Sequence, residues 1–387
     1  MTKLADCLPA DRDDAVLIGR LALPEGPTPV LVREGRCLDI SRFAATVSEA
    51  LADADALKTA VGQDLGAIDD LGLAASFAEA ASGAARMLAP VDLQCVKASG
   101  VTFAISAIER VIEERAQGHA DRARDIRDAL QARIGADIAS VKPGSRSAAD
   151  LKIALISDGL WSQYLEVAIG PEAEIFTKSP ALSAVGWGDE VGVRSDSVWN
   201  NPEPEIALVC DGRGRPVGAT LGNDVNLRDF EGRSALLLGK AKDNNASCAL
   251  GPFIRLFDDA FSLDDVRKAE VSLAIEGRDG FTLTGQSSMS QISRDPLDLV
   301  GQVIGKHHQY PDGFALMLGT MFAPVADRDA PGQGFTHKVG DRVTVSTPTL
   351  GALVNEVTTC DQAPAWTLGI AGLMHNLAAR GLLRGAA

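Results

Sequence analysis

The chain has 387 residues, of which 46% are hydrophobic and 23% charged, a composition typical of soluble globular proteins rather than of disordered ones. Its formal net charge of −15 argues against nucleic acid or an anionic membrane as the main partner, because both carry charge of the same sign. No apolar run approaches the length of about 20 residues that a membrane-spanning helix needs.

The N-terminal residues and the cysteines indicate the compartment. The first residues lack a basic patch followed by an apolar run, so we predict no secretory signal. The six cysteines show neither pairing nor Cys-x-x-Cys spacing, and in a chain of this size we expect free, mostly buried thiols. The five histidines have no spacing typical of a zinc site. These features predict a cytoplasmic protein in a reducing environment.

The first part of the chain is predicted to form a small α+β domain. Residues 15–40 contain short strand-like runs joined by Pro and Gly turns, and helical spacing of Ala and Leu follows near 42–57 and 71–87. Residues 88–91 interrupt this pattern with a proline. We therefore predict an N-terminal domain over residues 1–90, a size within the usual range for domains.

The second predicted domain, residues 91–387, combines a helical excursion with many short strands. Apolar spacing predicts helix within the excursion, near 107–150, and its charged stretch 114–135 reads as a solvated helical surface. From residue 150 on, short runs separated by Gly, Pro and Asp turns indicate a curled sheet or barrel-like β domain. The predicted strands are Glu205–Cys210, Val217–Leu221, Val271–Ile275, Phe281–Thr284, Phe314–Leu318 and Arg342–Ser346. A helical pattern over 365–383 follows them.

Two glutamates that alternate with prolines, Glu203 and Glu205, begin one of these strands. Strand side chains alternate, so both glutamates project to the same side, and the prolines suit an edge strand or a strand beginning. After a turn at residues 211–214, the returning strand delivers Asp224. Three carboxylates without an adjacent imidazole or paired thiols are typical of an oxygen-only site for Mg²⁺, Mn²⁺ or Ca²⁺. The alternative is that the two glutamates form the solvated face of an edge strand.

The order of segments over residues 95–360 resembles that of the fumarylacetoacetate hydrolase superfamily. The matching segments are residues 100–109, 176–181, 200–209, 222–229, 241–252, 318–320 and 338–343. The resemblance implies an α+β, mainly β fold, in which a curled mixed β-sheet or β-roll forms the catalytic domain beside the small α+β N-terminal domain. It also implies that Glu203, Glu205 and Asp224 bind Mg²⁺, with Mn²⁺ as the alternative, and that the chain forms a homo-oligomer, either a dimer or a tetramer.

One departure from the family pattern bears on the reaction. Hydrolases of the family carry Gly-x-Asn-Tyr-x-x-His-x-x-Glu, whose His–Glu pair activates water, whereas the matching residues 100–109 have Ser106 in place of the histidine and keep Glu109. Because a serine does not act as a base at neutral pH without help, the pattern argues against ordinary C–C hydrolysis. It resembles instead the sugar-acid dehydratase branch of the superfamily.

That resemblance implies dehydration of a 2-keto-3-deoxy-pentonate, with 2-keto-3-deoxy-D-xylonate as the first choice, to 2-oxoglutarate semialdehyde in oxidative pentose catabolism. Glu109 and Lys242 would be catalytic: the carboxylate would move the C3 proton or protonate the C4 hydroxyl, with its pKa raised by burial, and the lysine would hold negative charge. Ser106, Lys178 and Thr320 would bind the substrate, a small sugar acid.

The sequence is also compatible with two other functions. The first is a hydrolase or decarboxylase of a diketo acid that uses another base, such as His119, His307 or His308. The second is a non-catalytic protein that binds a divalent ion or a sugar acid. For the acidic segment after the second strand, we expect Arg228 and Asp229 to form a structural ion pair beneath the metal loop.

Overall fold

The computed structural model describes residues 3–73, 75, 85–123, 126, 138, 141–320, 322, 324, 326–331 and 333–383. The predicted helix near 71–87 lies mostly outside these residues, as does much of the predicted excursion between 124 and 140. No described helix is long and apolar enough to cross a membrane.

Strands and helices alternate irregularly along the chain, with strands in the majority. The strands are β1 (Leu17–Leu23), β2 (Gly26–Arg33), β3 (Arg36–Asp39), β4 (Gln63–Ala67), β5 (Arg86–Leu88), β6 (Cys95–Gly100), β7 (Glu174–Ser179), β8 (Glu190–Val193), β9 (Asn200–Asn201), β10 (Pro204–Cys210), β11 (Pro216–Asp224), β12 (Asn226–Leu227), β13 (Cys248–Leu256), β14 (Glu270–Glu276), β15 (Thr282–Ser288), β16 (Phe314–Met317), β17 (Arg342–Thr347) and β18 (Gly351–Thr359). The helices are α1 (Val47–Leu51), α2 (Ala54–Lys58), α3 (Ala104–Ala116), α4 (Arg146–Ser157), α5 (Gln163–Ile169), α6 (Arg228–Glu231), α7 (Leu238–Lys242), α8 (Leu263–Lys268), α9 (Pro296–Val303) and α10 (Ile370–Ala379). Short 3₁₀ turns lie at Leu4–Cys7, Ile68–Asp70, Ala235–Leu237 and Met289–Gln291.

An 11-stranded sheet carries the candidate site. Its strand order is β4-β3-β2-β1-β13-β11-β10-β16-β6-β7, and β5 pairs with β1. The neighbours are antiparallel except for β16 and β6, which run parallel. A five-stranded sheet in the order β15-β14-β17-β18-β8 also contains one parallel pair, β18 with β8. The predicted fold class, α+β and mainly β with curled mixed sheets, is confirmed.

The central strand β10 is buried on both faces. Leu208 packs in a hydrophobic cluster that also contains Leu273 of β14 and Leu353 of β18, so this face of the large sheet packs against the five-stranded sheet. On the other face, Ala207 and Val209 belong to a second cluster that includes residues of α1. Burial on both sides explains the continuous apolar run of the strand. Polar side chains at its N-terminal end are therefore held by a rigid, buried element.

The N-terminal strands extend the large sheet. Leu17 and Ile18 of β1 pair with Arg255 and Ile254 of β13, so the segment before residue 90 shares its backbone ladder with the strands that follow. The division into domains 1–90 and 91–387 stays a proposal about the sequence segments, and it does not coincide with separate sheets.

The predicted strands and helices are mostly found with small shifts at their ends. The turn at 211–214 joins β10 to β11 as predicted, and the predicted helical pattern over 365–383 contains α10. In α3, Ile108 and Ile112 are buried as the apolar spacing requires, whereas Ile105 is 48% exposed. All six cysteines are free, and four of them are buried.

Candidate metal centre and active site

The two central strands bring three carboxylates together. Glu205 lies on β10, Glu203 immediately precedes that strand, and Asp224 ends β11. The ladder pairs Glu205 with Gly222, and the Asp224 N–H donates to the Glu203 carbonyl at 3.0 Å. One carboxylate oxygen of each residue lies within 4.8 Å of the others. All three residues are buried, and β10 is central in the sheet, so the solvated edge-strand interpretation is wrong.

Glu205 is fixed by the backbone of a neighbouring loop. Its Oε2 accepts a hydrogen bond from the Gly319 N–H at 2.6 Å. Gly319 has φ +95°, and a Cβ there would lie 2.0 Å from Thr102 Oγ1, so this approach requires glycine. Burial, followed by the charges of Asp224 and Glu203, raises the pKa of Glu205 well above its ordinary value. In the absence of a bound cation, this carboxyl therefore favours its protonated form.

Two buried lysines compensate the remaining carboxylates. Lys242, at the end of α7, contacts Glu203 and donates to Asp224 Oδ2 at 3.1 Å. The Lys178 Nζ lies 2.8 Å from Asp224 Oδ1 and donates to the Val225 carbonyl at 2.9 Å. Burial opposes the ionised form of Asp224, but Lys178 and Lys242 outweigh it and lower the pKa of this carboxyl.

Lys178 is not among the described residues that line the pocket above the carboxylates. Its ammonium lies behind Asp224 and is fully buried. This geometry favours a role in holding Asp224 over the predicted role in binding substrate.

The pocket contains the predicted acid–base residue on α3. Glu109 lines it, and Glu109 Oε2 accepts a hydrogen bond from Arg228 at 2.9 Å. The predicted pair of Arg228 with Asp229 is wrong, because Arg228 turns toward α3 while Asp229 accepts from the Ser197 hydroxyl at 2.8 Å. Arg228 thus holds the Glu109 carboxylate at the wall of the pocket.

Ser106 and Thr320 also line the pocket, but their hydroxyls have local partners. Ser106 Oγ donates to the Phe103 carbonyl at 2.8 Å and accepts from the Phe103 N–H at 3.3 Å, which caps the first turn of α3. Thr320 Oγ1 accepts from the Phe322 N–H at 3.1 Å. Their predicted contacts with substrate stay predictions.

Sequence reasoning missed four charged residues of this pocket, Arg110, Glu113, Glu174 and Glu231. Arg110 and Glu113 directly precede the stretch 114–135, which the sequence predicts to be solvated, and a sequence with mixed charges gives no sign of which face turns inward. Glu174 opens β7 opposite Gly100, where a Cβ would lie 1.8 Å from Glu174 Oε2. Gly100 thus leaves room for the Glu174 carboxyl group. This glycine is the one feature of the sequence that indicates a buried group at this position.

The donor set fits a hard divalent cation. Carboxylate oxygens are the ligands that Mg²⁺ and Mn²⁺ prefer, and the three oxygens already converge. No histidine or cysteine is among the described residues that line the pocket. The Oδ1 of Asn201, also in the pocket lining, is buried without a hydrogen-bond partner among the described atoms, so the site offers one more oxygen to a ligand or a water.

We expect Mg²⁺ to stabilise the protein more strongly at about pH 8 than at about pH 5.5. The raised pKa of Glu205 means that the folded, metal-free state holds a proton that the unfolded state has lost. The stability of the metal-free protein therefore falls as the pH rises toward that pKa. Mg²⁺ affinity rises over the same range, because a smaller fraction of Glu205 has to release a proton before the ion binds. At a Mg²⁺ concentration of 100 Kd the gain is about 2.7 kcal/mol. Thermal unfolding with and without Mg²⁺ measures it, and an equal increase in Tm at both pH values would contradict the expectation.

Comparison with known proteins agrees with this fold. Residues 166–358 match the family model for the fumarylacetoacetate (FAA) hydrolase C-terminal domain. A probable 2-keto-3-deoxyxylonate dehydratase of Haloferax volcanii is 33% identical over 196 residues, which cover 51% of this chain and 64% of the relative. A 2-dehydro-3-deoxy-D-arabinonate dehydratase of Saccharolobus solfataricus is 32% identical over 197 residues, 50% of this chain and 61% of the relative. The matches thus span less than two thirds of either relative.

Solved structures show the same fold over most of the chain. A 2-keto-3-deoxyarabinonate dehydratase superposes with a TM-score of 0.64 at 22% identity, covering 89% of this chain and 99% of the other. A 2-keto-3-deoxy-D-arabinonate dehydratase complexed with magnesium and 2,5-dioxopentanoate has a TM-score of 0.62 at 21% identity, with the same coverage. The chain thus contains, over residues 166–358, a domain that matches the fumarylacetoacetate hydrolase family.

Proposed function

We propose that this protein is a Mg²⁺-dependent dehydratase that converts a 2-keto-3-deoxy-pentonate to 2-oxoglutarate semialdehyde. The observation that carries the proposal is the buried triad Glu203, Glu205 and Asp224 beside a pocket that contains carboxyl groups and a lysine. Acid–base chemistry next to a chelated 2-keto acid needs these groups and does not need the His–Glu pair of the family hydrolases.

The names of the relatives support the substrate class. Both curated relatives are named as dehydratases of 2-keto-3-deoxy sugar acids. The ligand named in one solved structure, 2,5-dioxopentanoate, is the same compound as 2-oxoglutarate semialdehyde. We keep 2-keto-3-deoxy-D-xylonate as the first choice and its C4 enantiomer, which derives from L-arabinonate, as the second; the D-arabinonate compound named for the relatives shares the D configuration at C4. A dimer or tetramer, and a cytoplasmic location, remain part of the proposal.

In the proposed reaction a C3 proton and the C4 hydroxyl leave as water, which gives a C3=C4 double bond. A proton then moves from C5 to C3, and the resulting C4–C5 enol tautomerises to the aldehyde. A divalent cation on the triad would supply Lewis-acid stabilisation of the negative charge that develops on the C2 oxygen. We assign acceptance of the C3 proton to Glu109, because its carboxylate lines the pocket and is held there by Arg228. Burial would lower the pKa of Lys242, but Asp224, Glu203 and Glu231 raise it above its ordinary value. Lys242 therefore stays cationic and stabilises anionic oxygens of the substrate.

Glu174 is our candidate for the acid that protonates the departing C4 hydroxyl. It lines the pocket, and burial raises its pKa despite the nearby charges of Arg110 and Lys242. A raised pKa keeps the Glu174 proton available at higher pH. Loss of this proton at still higher pH should lower kcat, which gives an alkaline limb in the pH profile of kcat.

Replacing Glu174 by Gln is expected to lower kcat by about 10²- to 10⁴-fold, the usual contribution of an acid–base residue, and to leave Mg²⁺ affinity intact. The matched control is Glu172→Gln, an exposed glutamate two positions away, which should keep wild-type kcat. An unchanged kcat in Glu174→Gln would assign the protonation to another group.

The competing functions make different predictions in one assay. Wild-type protein with Mg²⁺ is offered each C4 enantiomer of 2-keto-3-deoxy-pentonate and, separately, an acylpyruvate, and semialdehyde is detected with a coupled NAD(P)-dependent dehydrogenase. We expect turnover of one deoxypentonate enantiomer. Cleavage of the acylpyruvate alone would favour the diketo-acid hydrolase. Binding of the sugar acid without turnover of any compound would favour a non-catalytic binding protein.

A further inference from the structure

One face of α3 contributes three charged residues to the interior beside the metal triad. Glu109, Arg110 and Glu113 lie within little more than one helical turn, and residues three and four apart in a helix share a face. They meet Arg228 and Glu231 of α6. The proposed mechanism assigns a task to Glu109 but leaves Arg110, Glu113 and Glu231 without one.

Arg110 is bound to three carboxylates at once. Its Nη2 donates to Glu203 Oε1 at 2.7 Å, and its Nη1 donates to Glu113 Oε2 at 2.7 Å. The same Nη1 lies 2.7 Å from Glu231 Oε2. The Arg110 side chain is only 11% exposed. Since a guanidinium is planar with donors in fixed directions, partners at both terminal nitrogens fix its orientation, and Arg110 in turn fixes the plane of the Glu203 carboxylate.

The two oxygens of Glu203 are divided between the two sides of the site. Oε1 accepts a hydrogen bond from Arg110, whereas Oε2 accepts one from Lys242, which also donates to Asp224. Arg110 therefore leaves Oε2 on the side of Lys242 and Asp224. Metal ligands generally depend on such outer partners for their orientation.

Glu113 continues this chain of contacts to the proposed base. Its Oε2 accepts from Arg110, and its Oε1 accepts from the Arg228 Nε at 2.6 Å. Arg228 then donates to Glu109 at 2.9 Å. A continuous buried path, Glu203–Arg110–Glu113–Arg228–Glu109, thus joins a metal ligand to the base through alternating charges.

We propose that Arg110 is a positioning residue that orients the metal ligand Glu203, and that Glu113 couples this orientation to the placement of Glu109. The proposal rests on the proposed metal-dependent function. Two explanations of Arg110 compete: it either orients Glu203, or it merely compensates the negative charge of the cluster. They predict opposite effects on metal binding when the charge is removed.

The test is Mn²⁺ affinity, measured from the free Mn²⁺ electron paramagnetic resonance signal in a titration of folded protein. Removing a positive charge from the neighbourhood of a cation site should strengthen Mn²⁺ binding if Arg110 acts only through its charge. If Arg110 orients Glu203, then Arg110→Gln weakens Mn²⁺ binding by about 10- to 100-fold, the usual effect of losing an outer partner of a ligand. A Kd equal to or lower than that of the wild type would overturn the proposal.

Arg110→Lys provides the second, milder variant. It keeps the charge but not the planar fork of donors, so we expect weaker Mn²⁺ binding here too, together with an altered zero-field splitting of the bound ion. Wild-type affinity and wild-type splitting in Arg110→Lys would overturn the orienting role. This variant also decides the question if Arg110→Gln fails to fold.

Arg255→Lys is the matched control. Arg255 is buried and pairs with Asp11 through both terminal nitrogens, but it does not line the pocket. Wild-type Mn²⁺ affinity in this control supports a specific effect at Arg110. Equal weakening of Mn²⁺ binding in the Arg110 and Arg255 variants would show a general loosening of the fold and would overturn the proposal. Absence of Mn²⁺ binding to the wild-type protein would instead overturn the proposed metal-dependent function, and this outcome is distinct from the others.

Discussion

Replacing Asp224 by Asn is expected to abolish divalent metal binding and to lower kcat by about three orders of magnitude, equivalent to about 4 kcal/mol. The amide is neutral, so the triad loses an anionic ligand, and the enolising step loses most of its charge stabilisation. Lys178 and Lys242 both contact Asp224, so the substitution also leaves two buried ammonium groups with one counter-ion fewer. Removing one partner of a buried ion pair typically costs about 3–5 kcal/mol of stability. Calorimetric titration with Mg²⁺ and a turnover assay at saturating substrate measure the first two effects.

The matched control for Asp224→Asn is Asp211→Asn. Asp211 lies at the opposite end of the same hairpin, is buried and pairs with Arg215 at 2.7 Å. We expect this variant to lose stability but to keep Mg²⁺ affinity. Wild-type Mg²⁺ affinity in Asp224→Asn would place the metal elsewhere.

Replacing Glu109 by Gln is expected to lower kcat by about 10²- to 10⁴-fold while Mg²⁺ affinity remains close to that of the wild type. The amide keeps the size of the side chain but does not accept the C3 proton. Arg228, which donates to Glu109, also keeps its ion pair with Glu113 at 2.6 Å, so the fold should tolerate the change. Initial rates over a range of substrate concentrations separate kcat from KM.

Glu114→Gln on the same helix is the control for Glu109→Gln. Glu114 points to a different neighbour and accepts from the Gln163 amide at 3.0 Å, so its replacement should leave kcat unchanged. If Glu109→Gln also turned over at the wild-type rate, proton abstraction would have to be assigned to another carboxyl group of the pocket, with Glu174 as the next choice.

The convergence of the three carboxylates could be predicted from sequence because its determinants are local. Glu203 and Glu205 follow strand alternation, and a short turn at 211–214 returns the chain to Asp224. The prolines are compatible with either an edge strand or the beginning of a strand. The structure shows that Pro204 starts a central strand. Burial on both faces of that strand depends on distant segments, which local patterns do not reveal.

The rest of the site depends on contacts between distant segments. Arg110 and Glu113 belong to a helix with mixed charges, a pattern that is usual for a solvated surface. Glu113 is nevertheless buried and Arg110 is only 11% exposed, because α6 supplies partners more than 100 positions away. Lys178 was expected to face substrate, but its long side chain reaches the backbone of Val225 instead. The pairing of β1 with β13 is equally non-local.

The central claim is that the buried triad and its pocket catalyse metal-dependent loss of water from a 2-keto-3-deoxy-pentonate. The most direct measurement follows each C4 enantiomer by ¹H NMR with wild-type protein, first with Mg²⁺ and then after removal of the metal with EDTA. We predict that one enantiomer is consumed and that the aldehyde proton of the semialdehyde appears only while Mg²⁺ is present. Consumption at the same rate in EDTA, or no consumption of either enantiomer with Mg²⁺ bound, would contradict the claim.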